Sequence, residues 1–465
     1  MTQQKNTARR PYKLPRPLLC SADKEITLAL VEEYIGKHEG RMPRYKYLEN
    51  LYAGFHDIYN IPEKEEWKPD NRMAVNFPRY ITDTFLGYAR GIPIKVLHPT
   101  KAVSDKINEF NKLNNTADLD YNLDKLAAIY GHGWEYFYQD DESRTRITAV
   151  KPKRCFVVYD DTVRGKALFG CRYEYRKNGE RFGEYMTPTE IVQFRQNKVT
   201  ERKKNPYGMI PLVEHVLNDE RIGLYEHIAS MVEVYNKAIA EKANDVDAFA
   251  EAYLSIIGAE VDEDGVKRIR DDRVINFYGT DNARDVLVQF LTKPTADGTQ
   301  ENLLDRLETM IYQTAMVANI SDESFGNTSG VALAYKLQAM DNLAATLDRK
   351  DIKSLSKRYK LFCSIPNNHV PSDAWIDLDY QPSRNVPKNL VEEAQTAKTL
   401  EGVVSKETQL KVLSIVDDPN DEIKKMEEEQ KKAQEQMLEN MALQQQMFGG
   451  QQEEETEETN ELNEQ

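Results

Sequence analysis

Few residue combinations in this 465-residue chain could make or break a covalent bond. Gly165-Lys166-Ala167 comes nearest to a phosphate-cradling loop, yet it lacks the first glycine and the closing hydroxyl of G-x-x-x-x-G-K-S/T. Ser329 in FGNTSGV directly precedes its glycine, so it does not sit in a nucleophile elbow. The seven histidines include no H-E-x-x-H pair, and Asp160-Asp161 has the composition of a turn. The four cysteines (Cys20, Cys155, Cys171, Cys363) form no C-x-x-C pair. Cys155 and Cys171 could meet on neighbouring strands, but a chain this long needs no disulfide staples, and reduced thiols are expected. No catalytic constellation, metal or cofactor is expected.

What remains is non-covalent chemistry, concentrated in two places. The first is Asp322, Glu323, Ser324, Phe325, Gly326, Asn327, Thr328, Ser329 and Gly330, where carboxylates and hydroxyls alternate with flexible backbone. Between Asn319 and Gly330 there is no lysine or arginine, so the segment repels phosphate; Arg306 before it and Lys336 after it offer limited attraction. The second is an acidic turn, Glu260, Asp262, Glu263 and Asp264, followed by Lys267, Arg268 and Arg270. Both signs of charge on one exposed insertion set orientation and encounter rate for a protein partner more than raw affinity.

These segments need scaffolding. Leu303, Leu307, Met310, Ile311 and Thr314 before the first recur at helical spacing, as do Leu333, Leu337, Met340, Leu343, Leu347 and Ile352 after it. The connector at 319–330 therefore joins a helix at about 300–318 to one from Val331 to about Cys363. A slim, alanine-rich helix is expected to start at Asp219, capped by Asn218 or Asp219, and to run about 35 residues. A strand-rich insertion, 253–296, follows it. Upstream, NFPRYITDTFLGYARGIP reads as a helix with Pro78 in its first turn. Ser21 is the expected cap of the first of two short helices, and 118–130 is another helix. WEYFYQ, RITAV, CFVVYD, LFGCRYEYR and IVQFR are short strands of a meander.

The formal net charge of −15 is unevenly spread, with fourteen acids against four bases from Asp421 onward. The body is thus only mildly acidic. Residues 1–20 are basic and proline-rich, and 446–465 are Gln/Glu-rich; both are expected to be disordered. No apolar run approaches the roughly 18–20 residues of a membrane span, so no membrane partner is expected. Leu18-Leu19-Cys20 is preceded by arginine and proline rather than an apolar segment, which excludes a lipoprotein signal.

Four blocks in collinear order carry a resemblance: YLENLYAGFHDIYN with NRMAVNFPRYITDTFLGYARGIPI; GLYEHIASMVEVYNKAIAEKANDVDAFAEAYLSIIG; SDESFGNTSGVALAYKLQAMDNLAATLD; and LEGVVSKETQLKVLSIVDDPNDEIKKMEEE. Across about residues 40–430 the chain resembles the portal proteins of tailed double-stranded DNA bacteriophages, of siphophage type. The resemblance implies an α+β, portal-type subunit with an α/β wing, long-helix stem, β-rich clip and helical crown. The implied division is a wing at 21–218, stem helices at 219–252 and 297–318, a clip at 253–296 and a tunnel loop at 319–330. A long helix and return to the wing would occupy 331–387, and a crown 388–445. It further implies a homo-oligomeric ring of about twelve subunits at a capsid vertex, assembled in the host cytoplasm, with double-stranded DNA passing through. The terminase large subunit, a head-completion adaptor, and scaffolding and major capsid proteins are the implied partners. Asp322 to Gly330 would then face the channel, and Glu260 to Arg270 would carry clip contacts. Competing classes are a terminase-like enzyme, which the missing phosphate loop opposes, a helical assembly scaffold, which the strands oppose, and a defective prophage-derived head protein.

Overall fold

The computed structural model describes residues 16–65, 68–250, 254–257, 287–290, 297–320, 330–386, 390–413, 415–416 and 418–461. The chain divides into two units, Met1–Asn385 and Val386–Gln465.

The first unit is built on two sheets. CFVVYD forms β5 (Cys155–Asp160), an unbroken apolar run because both of its faces are covered. It lies inside a six-stranded sheet of order β1-β5-β6-β7-β8-β9. The neighbours are β1 (Leu18–Cys20), β6 (Ala167–Tyr175), β7 (Arg181–Met186), β8 (Glu190–Arg195) and β9 (Lys198–Lys204). Phe156 and Val158 point to one face, where α1 (Leu28–Glu39) supplies Val31, Tyr34 and Ile35. Cys155 and Val157, one residue out of phase, meet Ile210 together with Trp134 and Leu212 of a three-stranded sheet ordered β10-β3-β4. Its strands are β3 (His132–Gln139), β4 (Thr145–Val150) and β10 (Leu212–Val216). Cys155 and Cys171 do lie on paired strands, and all four cysteines are buried and unbonded.

α2 (Met42–Ala53), α3 (Phe77–Arg90), α4 (Lys101–Asn114) and α5 (Thr116–Tyr130) pack outside the sheets. The helix anticipated with Pro78 in its first turn is α3, and the Asn76 side chain caps it by accepting the Arg79 N–H. α4 escaped the sequence reading because its buried residues, Val103, Ile107 and Phe110, are only three among polar neighbours.

Several boundaries differ from expectation. The first helix is capped by Thr27, while the Ser21 hydroxyl turns to Asp23. The end of the expected disordered arm is a strand, since Leu18 and Cys20 alternate into the core and β1 pairs in parallel with β5. The helix expected from Asp219 begins at Ala229, as α6 (Ala229–Ala250). Asn218 instead closes a loop: its amide oxygen accepts the Ile222 N–H at 2.8 Å and its amide nitrogen donates to the Ile222 carbonyl at 2.8 Å. The Leu224 N–H then donates to the Ala128 carbonyl at 2.7 Å, filling an open acceptor at the end of α5. Gly131 makes this docking possible: at φ 85°, an added Cβ would lie 2.0 Å from the Arg221 carbonyl oxygen.

Buried His38 illustrates how the sheets constrain titration. Its Nε2 is 2.8 Å from the Pro152 carbonyl, which can only accept, so Nε2 carries the proton and Nδ1 accepts the Tyr173 hydroxyl at 2.9 Å. Burial, helped by Arg41, pushes its pKa down to about 3. The folded state therefore refuses a proton that the unfolded chain takes near pH 6.5, so this contribution to stability is full above that pH and fades as pH falls toward 3. At pH 5 the loss from this residue is about 2 kcal/mol. Thermal melts at pH 5 and 7.5 should show a smaller gap for His38→Gln than for the wild type; equal gaps would refute the assignment.

The second unit contains α9 (Leu390–Thr399), α10 (Lys406–Leu410) and α11 (Pro419–Glu461). α11 carries helical backbone well past residue 446, where a disordered tail was expected, because Gln, Glu, Met and Leu are strong helix formers even without a core to bury against.

Candidate functional site

In sequence, one charged segment lies between the two helices of a hairpin and the other follows the second helix. α6 packs against α7 (Asp297–Ala315), burying Ala240, Leu304, Ile311 and Ala315. Between the two helices in sequence, β11 (Leu254–Ile257) pairs antiparallel with β12 (Leu287–Phe290), from Leu254↔Phe290 to Ile257↔Leu287. This ladder holds together both ends of the segment carrying the acidic turn. Glu260, Asp262, Glu263, Asp264, Lys267, Arg268 and Arg270 themselves lie outside the described residues.

The extended segment before α3 clasps the hairpin. The Asn71 N–H donates to the Asn244 amide oxygen at 2.6 Å and the Val75 N–H to that of Asn236 at 2.8 Å, two asparagines eight residues apart on one face of α6. Phe77 adds edge-to-face contacts with Tyr235 and Tyr312, at centroid distances of 5.0 and 5.9 Å. Asparagine within an apolar helix stripe was the available signal, and the sequence reading passed over it.

α7 stops abruptly. Met316 adopts left-handed backbone at φ 58°, the Val317 N–H reaches back to the Tyr312 carbonyl and the Met316 N–H to that of Gln313. This is a Schellman cap with methionine where glycine is usual. The Asn319 side chain folds back toward Glu308 at 3.4 Å, and Ile320 is exposed. Asp322, Glu323, Ser324, Phe325, Gly326, Asn327, Thr328 and Ser329 lie outside the described residues. Gly330 opens α8 (Gly330–Cys363). Arg306, midway along α7, and Lys336, in the second turn of α8, are both exposed; their placement relative to Asp322 and Glu323 falls outside the described residues.

The apolar period read from sequence proves to be two-sided. Leu304 and Ile311 face α6, whereas Leu303 and Met310 are 47% and 42% exposed, and Val234 and Val246 of α6 are open too. The single chain thus leaves a second apolar face of the hairpin uncovered.

Downstream, α8 is fixed to the body by buried charge. Arg90 of α3 bonds Asp124 of α5 at 2.7 Å and Asp348 of α8 at 2.8 Å, and also pairs with Asp351. Arg384, three residues past a short strand at Asp379–Gln381, pairs with Asp341 at 2.9 Å and Asp348 at 2.6 Å. Two turns past Asp351, fully buried Arg358 bonds Glu135 of β3 at 2.8 Å and also Asp120 of α5, while His215 of β10 sits 3.0 Å from Glu135. Burial opposes the Glu135 carboxylate, but Arg358 and His215 outweigh it and hold its pKa below the ordinary value. Asp351 goes the other way: burial first, then Asp124, push its pKa well up, and Arg90 only partly opposes. Asp124, His215 and Asp351 lie close enough to hold a cation. Arg90, however, already bonds one oxygen of each aspartate and Glu135 bonds His215; Asp351 Oδ1 is left without a hydrogen-bond partner among the described residues, but the neighbouring guanidinium would repel a cation there. No helix among the described residues is long and apolar enough to cross a membrane.

Comparison with known proteins bears on these features together. The family model described as "Phage portal protein, SPP1 Gp6-like" matches residues 31–436. Similar proteins include the portal protein of Bacillus phage SPP1, 21% identical over 414 residues, covering 82% of this chain and 80% of that one. The portal protein of Clostridium phage phiCD119 is 21% identical over 397 residues, covering 78% and 85%. Among solved structures, a chain from the neck of an empty GTA particle, computed with C6 symmetry, matches 80% of this chain and 93% of its own, at 12% identity and a TM-score of 0.45.

Proposed function

Because the chain belongs to the SPP1 Gp6-like phage portal family, we propose that its copies close into a ring of about twelve around a channel that admits double-stranded DNA. Family membership makes it a portal protein, a structural head-to-tail connector of a phage particle and not an enzyme. What supports the ring is that the α6–α7 hairpin leaves Val234, Leu303 and Met310 uncovered in a single subunit. A head-to-tail contact on that face, repeated by rotation, closes a ring and turns the loop toward its axis. The wing is then residues 21–218, the first stem helix starts at Ala229, and the clip occupies 253–296. Its mixed charges receive the terminase large subunit and later a head-completion adaptor. Scaffolding and capsid proteins meet the ring during assembly in the host cytoplasm.

A conduit must let its cargo slide. One fixed lysine per subunit would give a salt slope near −0.9 for each phosphate, about −11 for the ring, the signature of a tight binder. Asp322 and Glu323 instead set a ring of carboxylates around the duplex, which keeps it centred. Wild-type rings should bind duplex DNA weakly in low-salt filter assays, and Asp322→Lys with Glu323→Lys should tighten binding about tenfold or more with a steeper salt slope. Tight wild-type binding that the double variant leaves unchanged would place these acids away from DNA.

A further inference from the structure

A cleft of about 760 Å³ opens between the two sheets and the C-terminal half of α8. Lys350, Lys353, Lys357 and Lys360 line one wall. Their spacing of three, four and three puts the four on a single stripe about 15 Å long. Arg164 and Lys166, from the turn between β5 and β6, add charge from the opposite side. The floor is apolar, with Val157, Ile210 and Leu212 between these walls.

Internal acids do not account for this charge. Lys350 pairs with Asp219 at 2.7 Å, and Lys360 sits 5.0 Å from the Trp375 ring centre. Glu214 is already held by Arg221 at 2.7 Å and His132 at 2.9 Å. Lys353, Lys357, Arg164 and Lys166 are exposed and have no ion pair among the described residues. Burial lowers the pKa of Lys357; Glu214 opposes this, and Lys353 and Arg221 nearby lower it further. Four lysines on one helix stripe repel one another and weaken the helix unless something anionic lies over them.

We propose that this cleft is a docking site for an acidic amphipathic helix of a partner protein, with carboxylates at matching three–four spacing over the lysines and an apolar edge on the floor. Shape decides between this and nucleic acid. Duplex phosphates lie on the outside of a broad cylinder and would touch only the rim, leaving an apolar floor uncovered. An amphipathic helix fills both parts and resembles ordinary helix-in-groove recognition. The site does not depend on ring formation or on what the channel loop does.

The test uses the full-length protein and a fluorescent peptide of about three heptads, with Glu and Leu at three–four spacing, read by anisotropy at about 0.1 M salt. A second peptide carries Gln for every Glu, and a short DNA duplex forms a third arm. The Glu peptide should bind about tenfold or more tightly than the Gln peptide, and Lys353→Glu with Lys357→Glu should abolish that difference. A Lys-for-Glu peptide should then prefer the reversed protein. Both positions are exposed, so thermal melting should hardly move; Lys353→Gln with Lys357→Gln gives a milder pair with a smaller loss. Equal binding of Glu and Gln peptides would overturn the proposal. Duplex binding lost on charge reversal, without peptide binding, would assign the cleft to nucleic acid instead. Break-up of the oligomer on reversal would assign it to a second copy of this chain.

Discussion

Arg358→Met should lower the free energy of unfolding by about 3–5 kcal/mol, the range for removing one member of a buried ion pair. Arg358 and Glu135 are both fully buried, and Asp120 and His215 complete the cluster. Without the guanidinium, two carboxylates share a dry space with only a histidine to offset them. Their pKa values then rise, so the folded variant holds protons that the unfolded chain has released. A group raised in this way adds stability below its unfolded pKa and loses it as pH climbs, so the deficit is greatest at neutral pH and shrinks in acid. Adding Glu135→Gln should recover part of the loss by removing one stranded charge. Urea unfolding midpoints at constant slope are the measurement. A change below about 1 kcal/mol would mean that water or a neighbouring side chain already solvates the pair.

Leu303→Asp with Met310→Asp should turn rings into monomers. Both side chains are exposed in the single subunit, so folding should survive. In the assembly they would be buried, and an unpaired carboxylate at a desolvated contact costs several kcal/mol. The defect recurs at every interface of a closed ring, which makes the loss nearly all-or-none. Sedimentation velocity beside a thermal melt separates the outcomes; intact rings in the double variant would move the interface off this face.

The fold was legible where local pattern and burial agree. CFVVYD announced a strand through its β-forming residues, and NFPRY announced a helix start. Asn218 misled because the same side chain that caps a helix also closes a loop, and only the neighbouring end of α5 decides between them. Leu303 and Met310 were seen as apolar, but one chain's periodicity cannot say which side meets its own partner helix and which meets another subunit. The Arg358–Glu135 contact spans 223 residues, and no local spacing foreshadows it. The lysine stripe of α8 was present in the letters, where it reads as a solvated face; the sheet opposite makes it the wall of a cleft. The candidate channel and clip residues stood out by charge and resemblance alone; the β11–β12 ladder shows only that residues 254–257 and 287–290 pair.

Negative-stain electron microscopy of the purified full-length protein tests ring formation most directly. Closed rings with a central stain-filled hole, of about twelvefold symmetry, should be seen and should persist across moderate salt. Monomers at micromolar concentration, or open filaments, would contradict it.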